Sequence, residues 1–200
     1  MKRLSIEYPP SLNEWDEMIS GPKGGEFTEV EFAGSIHFDV MNLAEEVNVH
    51  SLIPAAFYSY ASTDYDVTDI MAGIIRENDS VAMLSDTLKQ ACIVGCQRLL
   101  YRQAEETFKW LDQTMEYSLF PSCSSRPRCT ASRQHTFYAL WHPSPMCMAL
   151  RCWEESFEGS MCASCITASE KQHNEGRANI WNELPLILGL SGWDELKKMQ

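Results

Sequence analysis

The sequence predicts an all-α protein, an irregular multi-helix domain with a cysteine-containing loop region. Three observations predict this class: apolar residues recur at helical spacing, helix-capping residues precede several of these segments, and no segment alternates long enough to form a sheet. FTEVEF, residues 27–32, comes closest to a strand. A single strand of that length cannot form a sheet by itself.

The first 36 residues predict short helices followed by a loop. MKRLSIEY is expected to be the end of an earlier helix, and two prolines separate it from the next segment. Ser11 is followed three residues later by Glu14, which is the capping-box pattern, so a helix should begin near Leu12. Residues 21–36 are rich in glycine and acidic residues and are expected to form a loop.

Three further helices are expected before Ser85. The first has one apolar face at helical spacing, formed by Val40, Leu43, Ala44 and Val47. The second follows Ser51 and tolerates Pro54 in its first turn, where the missing N–H costs nothing. The third is shorter and begins at Asp66 or Thr68.

The longest predicted helix follows Ser85 and extends to Met115. One stripe of small and apolar side chains runs along it, made by Leu88, Ala91, Cys92, Gly95, Cys96 and Leu99. Cys92 and Cys96 are therefore expected to be core residues, a common role for free cysteine. Metal binding by this pair is the less favoured alternative.

The remainder of the chain predicts a loop and four helices. The loop spans residues 121–129, and Thr130 is expected to cap the helix after it. A second helix is expected over CMALRCWEESFEG, a third of about 20 residues from Ala163, and a last one after Ser191. Five of the six tryptophans are expected to anchor the core, namely Trp110, Trp141, Trp153, Trp181 and Trp193.

The net charge of −12 is unevenly distributed. Residues 1–80 carry 15 acidic and 4 basic residues, whereas residues 81–200 carry 13 and 12. The acidic part repels phosphate backbones, so nucleic-acid binding is not expected, and a solvated surface is its simplest interpretation. In contrast, the stretch from Tyr117 to Trp153 has no acidic residue and contains Arg126, Arg128, Arg133, Arg151, His135 and His142.

No targeting or membrane-spanning segment is predicted. The chain has no run of about 18 apolar residues, and its first residues lack the apolar region of a secretory signal. A cytoplasmic or nuclear protein without membrane partners is therefore expected, and stable disulfides are not.

Two cysteine pairs form the candidate metal site. Five residues separate Cys123 from Cys129, and two separate Cys162 from Cys165. A loop pair and a pair at a helix start supply the four sulfur ligands of a closed, tetrahedral zinc site. The nearby arginines would offset the negative charge of such a site, and the helix N-terminus would favour thiolate.

Other interpretations of the cysteines stay open. Cys147 or Cys152 could replace one ligand, and His135 or His142 could complete a set of three cysteines and one histidine. The thiols could be buried without any ligand. They could also provide a redox pair at Cys162–Cys165, although the strand that precedes such a motif in thioredoxin-like proteins is not predicted.

No pattern of residues predicts an enzyme. The chain contains no phosphate-binding loop, no G-x-S-x-G and no H-E-x-x-H, and its five histidines are scattered. The adjacent glutamate pairs lie on predicted helices and face different directions, which is typical of solvated surfaces.

Several segments, in order, resemble the C-terminal half of fungal BTB/POZ-domain proteins: VMNLAEEVNVHSLIPAAFY, LSDTLKQACIVGCQRL, MCASC, IWNELPLILGL and WDELKKM. The resemblance covers nearly the whole chain, whereas the BTB fold itself is missing. It implies a fragment that acts in protein–protein interaction, in some members as a substrate adaptor of cullin-based ubiquitin ligases. It maps the recurrent thiols of the family onto Cys123, Cys129, Cys162 and Cys165.

The resulting hypothesis has three parts. Residues 1–20 are a remnant of the helices that follow a BTB fold, 21–36 are the acidic loop, and 37–200 are a helical domain with a cysteine clip between 121–133 and 162–165. The protein partner stays unidentified, and self-association through a BTB fold is not expected. The alternatives are a Cys-x2-Cys thiol–disulfide oxidoreductase and a zinc-stapled nucleic-acid-binding domain that uses Arg126, Arg128 and Arg133.

Overall fold

Helices dominate the structure, a computed structural model that describes residues 8–20, 34–63, 66–142 and 146–198. The all-α prediction is confirmed: within these ranges the β-structure is one antiparallel pair, β1 (Ile74–Ile75) and β2 (Val81–Ala82). The expected helix end at residues 1–7, most of the acidic loop and FTEVEF lie outside the described residues. The chain divides into two compact units, Met1–Arg98 with Asn182–Gln200, and Leu99–Trp181.

The helices are labelled in chain order: α1 (Leu12–Ser20), α2 (Ser35–Glu46), α3 (Ile53–Thr63), α4 (Val67–Ala72), α5 (Asp86–Glu105), α6 (Glu116–Leu119), α7 (Arg126–Trp141), α8 (Ala163–Ile187) and α9 (Trp193–Lys198). Short 3-10 helices occur at His50–Leu52, Lys109–Leu111, Gln113–Met115 and Glu155–Phe157. None of the helices in the described ranges combines the length and apolar character that a bilayer crossing requires.

Three predicted helix caps of the first unit are confirmed. The Ser11 hydroxyl accepts a hydrogen bond from the Glu14 amide at 3.3 Å. Asp66 accepts one from the Thr68 amide at 2.7 Å, and Ser85 accepts one from the Leu88 amide at 3.2 Å. Each side chain satisfies an amide that has no partner in the first turn of its helix. Ser51 instead lies inside a 3-10 turn, so α3 begins at Ile53.

The predicted apolar face of α2 is partly wrong. Val40 and Ala44 are buried, but Leu43 and Val47 are each 44% exposed. The buried side is completed by His37, Phe38 and Met41. His37 can be buried because its Nδ1 atom hydrogen-bonds the Tyr8 hydroxyl at 2.9 Å.

Cys92 and Cys96 are buried side chains of α5, as predicted. Gly95 lies between them, and a Cβ atom there would come within 2.7 Å of Leu188 Cδ2 and 3.1 Å of Phe57 Cζ. This stripe is therefore packing surface of the first unit.

The end of α5 was predicted wrongly, because the helix stops at Glu105 and not at Met115. Phe108 and Trp110 are both buried, yet a regular helix would direct them to nearly opposite sides. The turn that replaces the helix is closed by the Phe108 amide, which donates to the Gln103 carbonyl at 2.8 Å. The longest helix is accordingly α8 with 25 residues, compared with 20 in α5.

The helix predicted over CMALRCWEESFEG is also wrong, since only a 3-10 turn forms there. Buried side chains take over its backbone hydrogen bonds. The carbonyls of Met146, Ala149, Leu150 and Arg151 accept from Gln103, Thr107, Arg177 and His173, at 3.0, 2.5, 2.9 and 2.8 Å respectively. Side chains of α5, of α8 and of the turn after α5 thus satisfy these four carbonyls. Their hydrogen bonds therefore do not require the segment to be helical.

Helix α7 begins at Arg126, four residues before the predicted cap Thr130. Pro127 lies in its first turn, where a missing amide is tolerated. Cys129 is therefore helical and not part of a loop. Helix α8 starts at Ala163, as predicted, and continues through Pro185.

Candidate metal centre

Four cysteine sulfurs converge in the second unit. The Sγ atoms of Cys123, Cys129, Cys162 and Cys165 all lie within 4.8 Å of one another. Cys123 lies in the turn before α7 and Cys129 in the first turn of that helix. Cys162 immediately precedes α8, and Cys165 lies in its first turn. The two pairs, distant in sequence, thus meet as their spacing predicted.

Local hydrogen bonds place each cysteine. The Cys123 amide donates to the carbonyl of buried Phe120 at 3.3 Å, which closes the turn. The Cys162 carbonyl accepts from the amides of Cys165 at 2.9 Å and Ile166 at 3.0 Å, so Cys162 serves as the first carbonyl of α8. The Cys-x2-Cys pair is therefore fixed by helix geometry.

Direct contacts hold the segment before α8 against α7. The Cys162 amide donates to Cys129 Sγ at 3.2 Å, and the Ser160 amide donates to Ser132 Oγ at 3.0 Å. Gly159, the residue before Ser160, has φ +51°, and a Cβ atom there would collide with Ser132 Oγ. Glycine allows both the left-handed conformation and the close approach.

Ser164, in the first turn of α8, contacts the turn that carries Cys123. Its hydroxyl donates to the Ser122 carbonyl at 2.9 Å and lies 3.2 Å from Cys162 Sγ. One side chain therefore contacts the residue before Cys123 and the sulfur of Cys162. Hydrogen bonds of this kind around a ligand set orient the ligands before any ion binds.

The site lies at the edge of an apolar cluster. Cys129, Cys162 and Cys165 are buried, whereas Cys123 is partly exposed. The cluster also contains Phe108, Trp110, Leu111, Phe120, Phe157 and Met161. Such an apolar shell limits the access of water to the sulfur group and lowers the local dielectric.

The surroundings of the thiols shift their pKa values in opposite directions. Polar contacts, first with the Ser164 hydroxyl and then with Ser124 and the Cys165 main chain, lower the pKa of Cys162 to about 4. Burial raises the pKa of Cys129 and of Cys165 above the ordinary thiol value. A cation that enters the site would displace protons from the buried thiols.

The four sulfurs fit a tetrahedral thiolate site. Zinc–sulfur bonds of about 2.3 Å in a tetrahedron place the sulfurs about 3.8 Å apart. Separations of no more than 4.8 Å need adjustments of about 1 Å or less. Four sulfur donors favour a soft or borderline cation over magnesium or calcium.

The alternative ligands lie elsewhere. Cys147 is buried outside the group, and Cys152 Sγ accepts a hydrogen bond from Arg177 at 3.4 Å. His135 and His142 are exposed on α7 and just beyond its end. The cluster therefore consists of the four cysteines alone, among the residues that the structure describes.

The arginines of the acid-free stretch have other contacts. The Arg133 guanidinium is buried 4.2 Å above the Phe120 ring, and Arg151 pairs with Glu154 at 2.6 Å. Charge compensation by arginine stays a prediction. The donors that do reach sulfur are the Cys162 amide and nearby serines, which sequence reasoning did not assign, although serines flank both pairs in PSCSS and MCASC.

Comparison of the chain with protein-family models, curated proteins and solved structures finds no match.

Proposed function

We propose that this chain is a non-enzymatic protein–protein interaction module whose second unit is stapled by a structural zinc ion. The observation that carries the proposal is the convergence of four cysteine sulfurs within 4.8 Å. Cys123, Cys129, Cys162 and Cys165 would hold the ion. It would link the turn before α7, α7 itself and the start of α8.

A structural role suits this ligand set better than a catalytic one. Catalytic zinc sites keep one coordination position for water or substrate, whereas four protein ligands fill the tetrahedron. No histidine or carboxylate belongs to the described cluster, so no general base accompanies it. Three of the ligands are also buried, which leaves little room for a substrate.

The resemblance to the region that follows the BTB fold in fungal BTB/POZ proteins supports an interaction role. The segments that carry it form α2 with α3, α5, the start of α8, the end of α8 and α9. On this proposal the helices present a partner-binding surface, and the metal keeps part of that surface in place.

Zinc analysis of purified protein tests the clip. We expect one zinc ion per wild-type chain and loss of most of it in Cys162→Ser, because three remaining thiolates bind zinc far more weakly. Cys152→Ser is the matched control, since serine can accept the Arg177 hydrogen bond and residue 152 lies outside the cluster. Wild-type protein without zinc, or full zinc in Cys162→Ser, would refute the clip.

A thiol–disulfide oxidoreductase is the second candidate, favoured by the lowered pKa of Cys162. A low-pKa thiol at a helix start followed by a second cysteine is the arrangement of redox motifs. Reduction of insulin by the zinc-free protein decides between the two. Under the structural proposal we expect no turnover above background, because Cys162, the thiol that would have to attack the substrate, is 9% exposed.

A further inference from the structure

The antiparallel pair of β1 and β2 has one side that faces solvent. Residues opposite each other in such a pair share a face, and successive residues alternate between the two faces. Ile74 pairs with Ala82, which is fully buried, so this pair points inward. Ile75 pairs with Val81, and Met83 lies two residues beyond Val81, so these three side chains point outward.

This outer hairpin face, formed by Ile75, Val81 and Met83, is apolar and exposed. The three side chains are 72%, 46% and 44% exposed, respectively. A Cβ atom at Gly73 would lie 2.5 Å from Val81 Cγ1 and 3.3 Å from Met83 Cε, so both side chains lie over the backbone of Gly73. Met71, two residues earlier, is 56% exposed. Exposed apolar side chains that cluster commonly mark an interaction surface.

A shallow groove of about 310 Å³ lies between α4 and α5, with Met71 in its wall. Its other lining residues are Asp86, Lys89, Gln90, Ile93 and Val94. Ile93 and Val94 are partly exposed, so the groove offers a place for one apolar side chain of a partner beside Met71.

The charge beside the outer hairpin face is negative. Glu77 lies two residues after Ile75, and Asp79 lies two residues before Val81. These spacings place both acidic residues within about 7 Å of the face, measured between Cα atoms. Both are exposed, and in the part of the chain that the structure describes neither carboxylate has a basic partner. At physiological salt charges act over about 8 Å, so both groups act on whatever covers the face.

The two basic side chains nearest in sequence are already paired. Arg76 donates from Nε to Asp39 Oδ2 at 3.1 Å and from Nη2 to Asp39 Oδ1. The Lys89 ammonium lies 3.6 Å from Asp86, and its side chain is only 17% exposed. The described residues of the first unit include 14 acidic and five basic side chains, so the wider surroundings are negative as well.

We propose that the outer hairpin face binds a segment of a partner protein that carries lysine or arginine beside apolar residues. This inference rests on the proposed interaction function and names its surface. Apolar side chains of the partner would cover Ile75, Val81 and Met83, while its basic side chains would pair with Glu77 and Asp79.

Charge argues against an occupant supplied by this protein itself. Segment 21–33, which leads to Gly34 beside Ile74, contains three glutamates and one lysine. A second copy of the chain would bring a net charge of −12. Each would place like charges against Glu77 and Asp79, which opposes binding. The phosphates of a nucleic acid are disfavoured for the same reason.

Fluorescence anisotropy with labelled peptides tests the assignment on the full chain. The probe, called the lysine peptide, is a short peptide in which lysine alternates with leucine and valine. One comparison peptide has glutamate in place of every lysine, and a second has serine in place of every leucine and valine. We expect the lysine peptide to bind best, because it alone supplies both the charge and the apolar side chains that the face requires.

Two substitutions should weaken binding of the lysine peptide. Ile75→Thr removes the most exposed side chain of the face but keeps a β-branched residue, and we expect about a tenfold loss of affinity, as for a central contact. Glu77→Lys should weaken binding several-fold, because repulsion replaces attraction. The matched controls Ile19→Thr and Glu17→Lys make the same changes at exposed positions of α1, and both should bind as the wild type does.

Several results would overturn the assignment. They are equal binding of either comparison peptide, or wild-type affinity in both Ile75→Thr and Glu77→Lys. A dimer in sedimentation analysis that Ile75→Thr dissociates would instead identify a second copy as the occupant. Circular dichroism of every variant reports whether the fold persists, and Glu77→Lys, in an exposed turn, decides the outcome if Ile75→Thr does not fold.

Zinc content of the same preparations keeps this proposal separate from the clip. All four proposed ligands belong to the second unit, whereas the outer hairpin face belongs to the first. Zinc-loaded wild type that fails to bind the lysine peptide refutes only this surface, and wild type without zinc refutes the clip.

Discussion

Four polar side chains in the interior of the second unit determine the path of residues 146–151. Gln103, Thr107, His173 and Arg177 are all buried and all donate to carbonyls of that segment. From sequence alone nothing pairs these residues with residues 146–151, and a helix was predicted over CMALRCWEESFEG. Burial of a polar residue depends on partners distant in the chain, which no local pattern contains.

His173 is the titratable member of this group. Its Nε2–H donates to the Arg151 carbonyl at 2.8 Å, and Nδ1 accepts from Trp110 Nε1–H at 3.3 Å, so the ring is neutral. Burial among aromatic rings lowers the pKa of His173 from 6.5 to about 4. A proton on Nδ1 would break the bond with Trp110 and place a charge in the core.

Stability should therefore depend on pH through His173. Between pH 6.5 and about 4 the unfolded chain binds this proton and the folded chain does not, so stability falls as pH falls. From about pH 7 to about pH 5 the loss is about 2 kcal/mol in the free energy of unfolding. In urea unfolding, the His173→Gln variant should not show this loss of stability at low pH. The His135→Gln variant, which replaces an exposed histidine, should still show it. Identical pH profiles for wild type and His173→Gln would contradict the assignment.

At the scale of helices, α8 organises the second unit. It carries Cys165 in its first turn and His173 and Arg177 further along. Its Gln172 side chain donates to the Glu106 carbonyl at 2.7 Å and accepts from the Trp110 amide at 2.9 Å. These bonds hold α8 against the chain that leaves α5.

Three helix starts were predicted correctly from their caps, whereas the start of α7 and the end of α5 were not. Ser11, Asp66 and Ser85 cap helices in the structure because a cap is a local interaction within four residues. The end of α5 at Glu105 depends on burying Phe108 and Trp110, which is a tertiary requirement. The early start of α7 had a local signal, Pro127, which sequence reasoning assigned to the loop.

Gly176 lies where α8 packs closely against the segment that follows α5. A Cβ atom at this position would come within 2.6 Å of the Thr107 amide nitrogen, and backbone cannot move aside easily. Glycine-to-alanine changes inside helices normally stabilise by about 1 kcal/mol. We expect Gly176→Ala instead to lower the free energy of unfolding by about 2 kcal/mol or more. In Gly192→Ala no atom lies within 4 Å of the new Cβ, so urea unfolding should show little change. Stabilisation by Gly176→Ala would show that this approach is looser than described.

At the scale of the whole molecule, the all-α class and the four clustered cysteines were both predictable from sequence. The class follows from periodicity and caps. The cluster follows from the spacing of Cys162 and Cys165 together with a second pair within one chain. The details that complete the site, such as the Ser164 hydroxyl and the close approach at Gly159, depend on three-dimensional contact and could not be read from spacing.

Metal removal should therefore affect the two units differently. We expect a chelator to reduce hydrogen-exchange protection at residues 121–133 and 160–166, because the ion would join these segments. Helix α3 should keep its protection, since all four ligands belong to the second unit. Exchange followed by mass spectrometry with and without chelator measures both. Equal loss of protection in α3, or no change at residues 121–133, would contradict a local clip.

Cys123 is the one member of the cluster that is partly exposed, and this asymmetry bears on how a bound ion would be delivered and recovered. An incoming thiolate from a carrier could replace Cys123 while the three buried sulfurs still held the ion. Transfer would then proceed by stepwise ligand exchange that begins at Cys123.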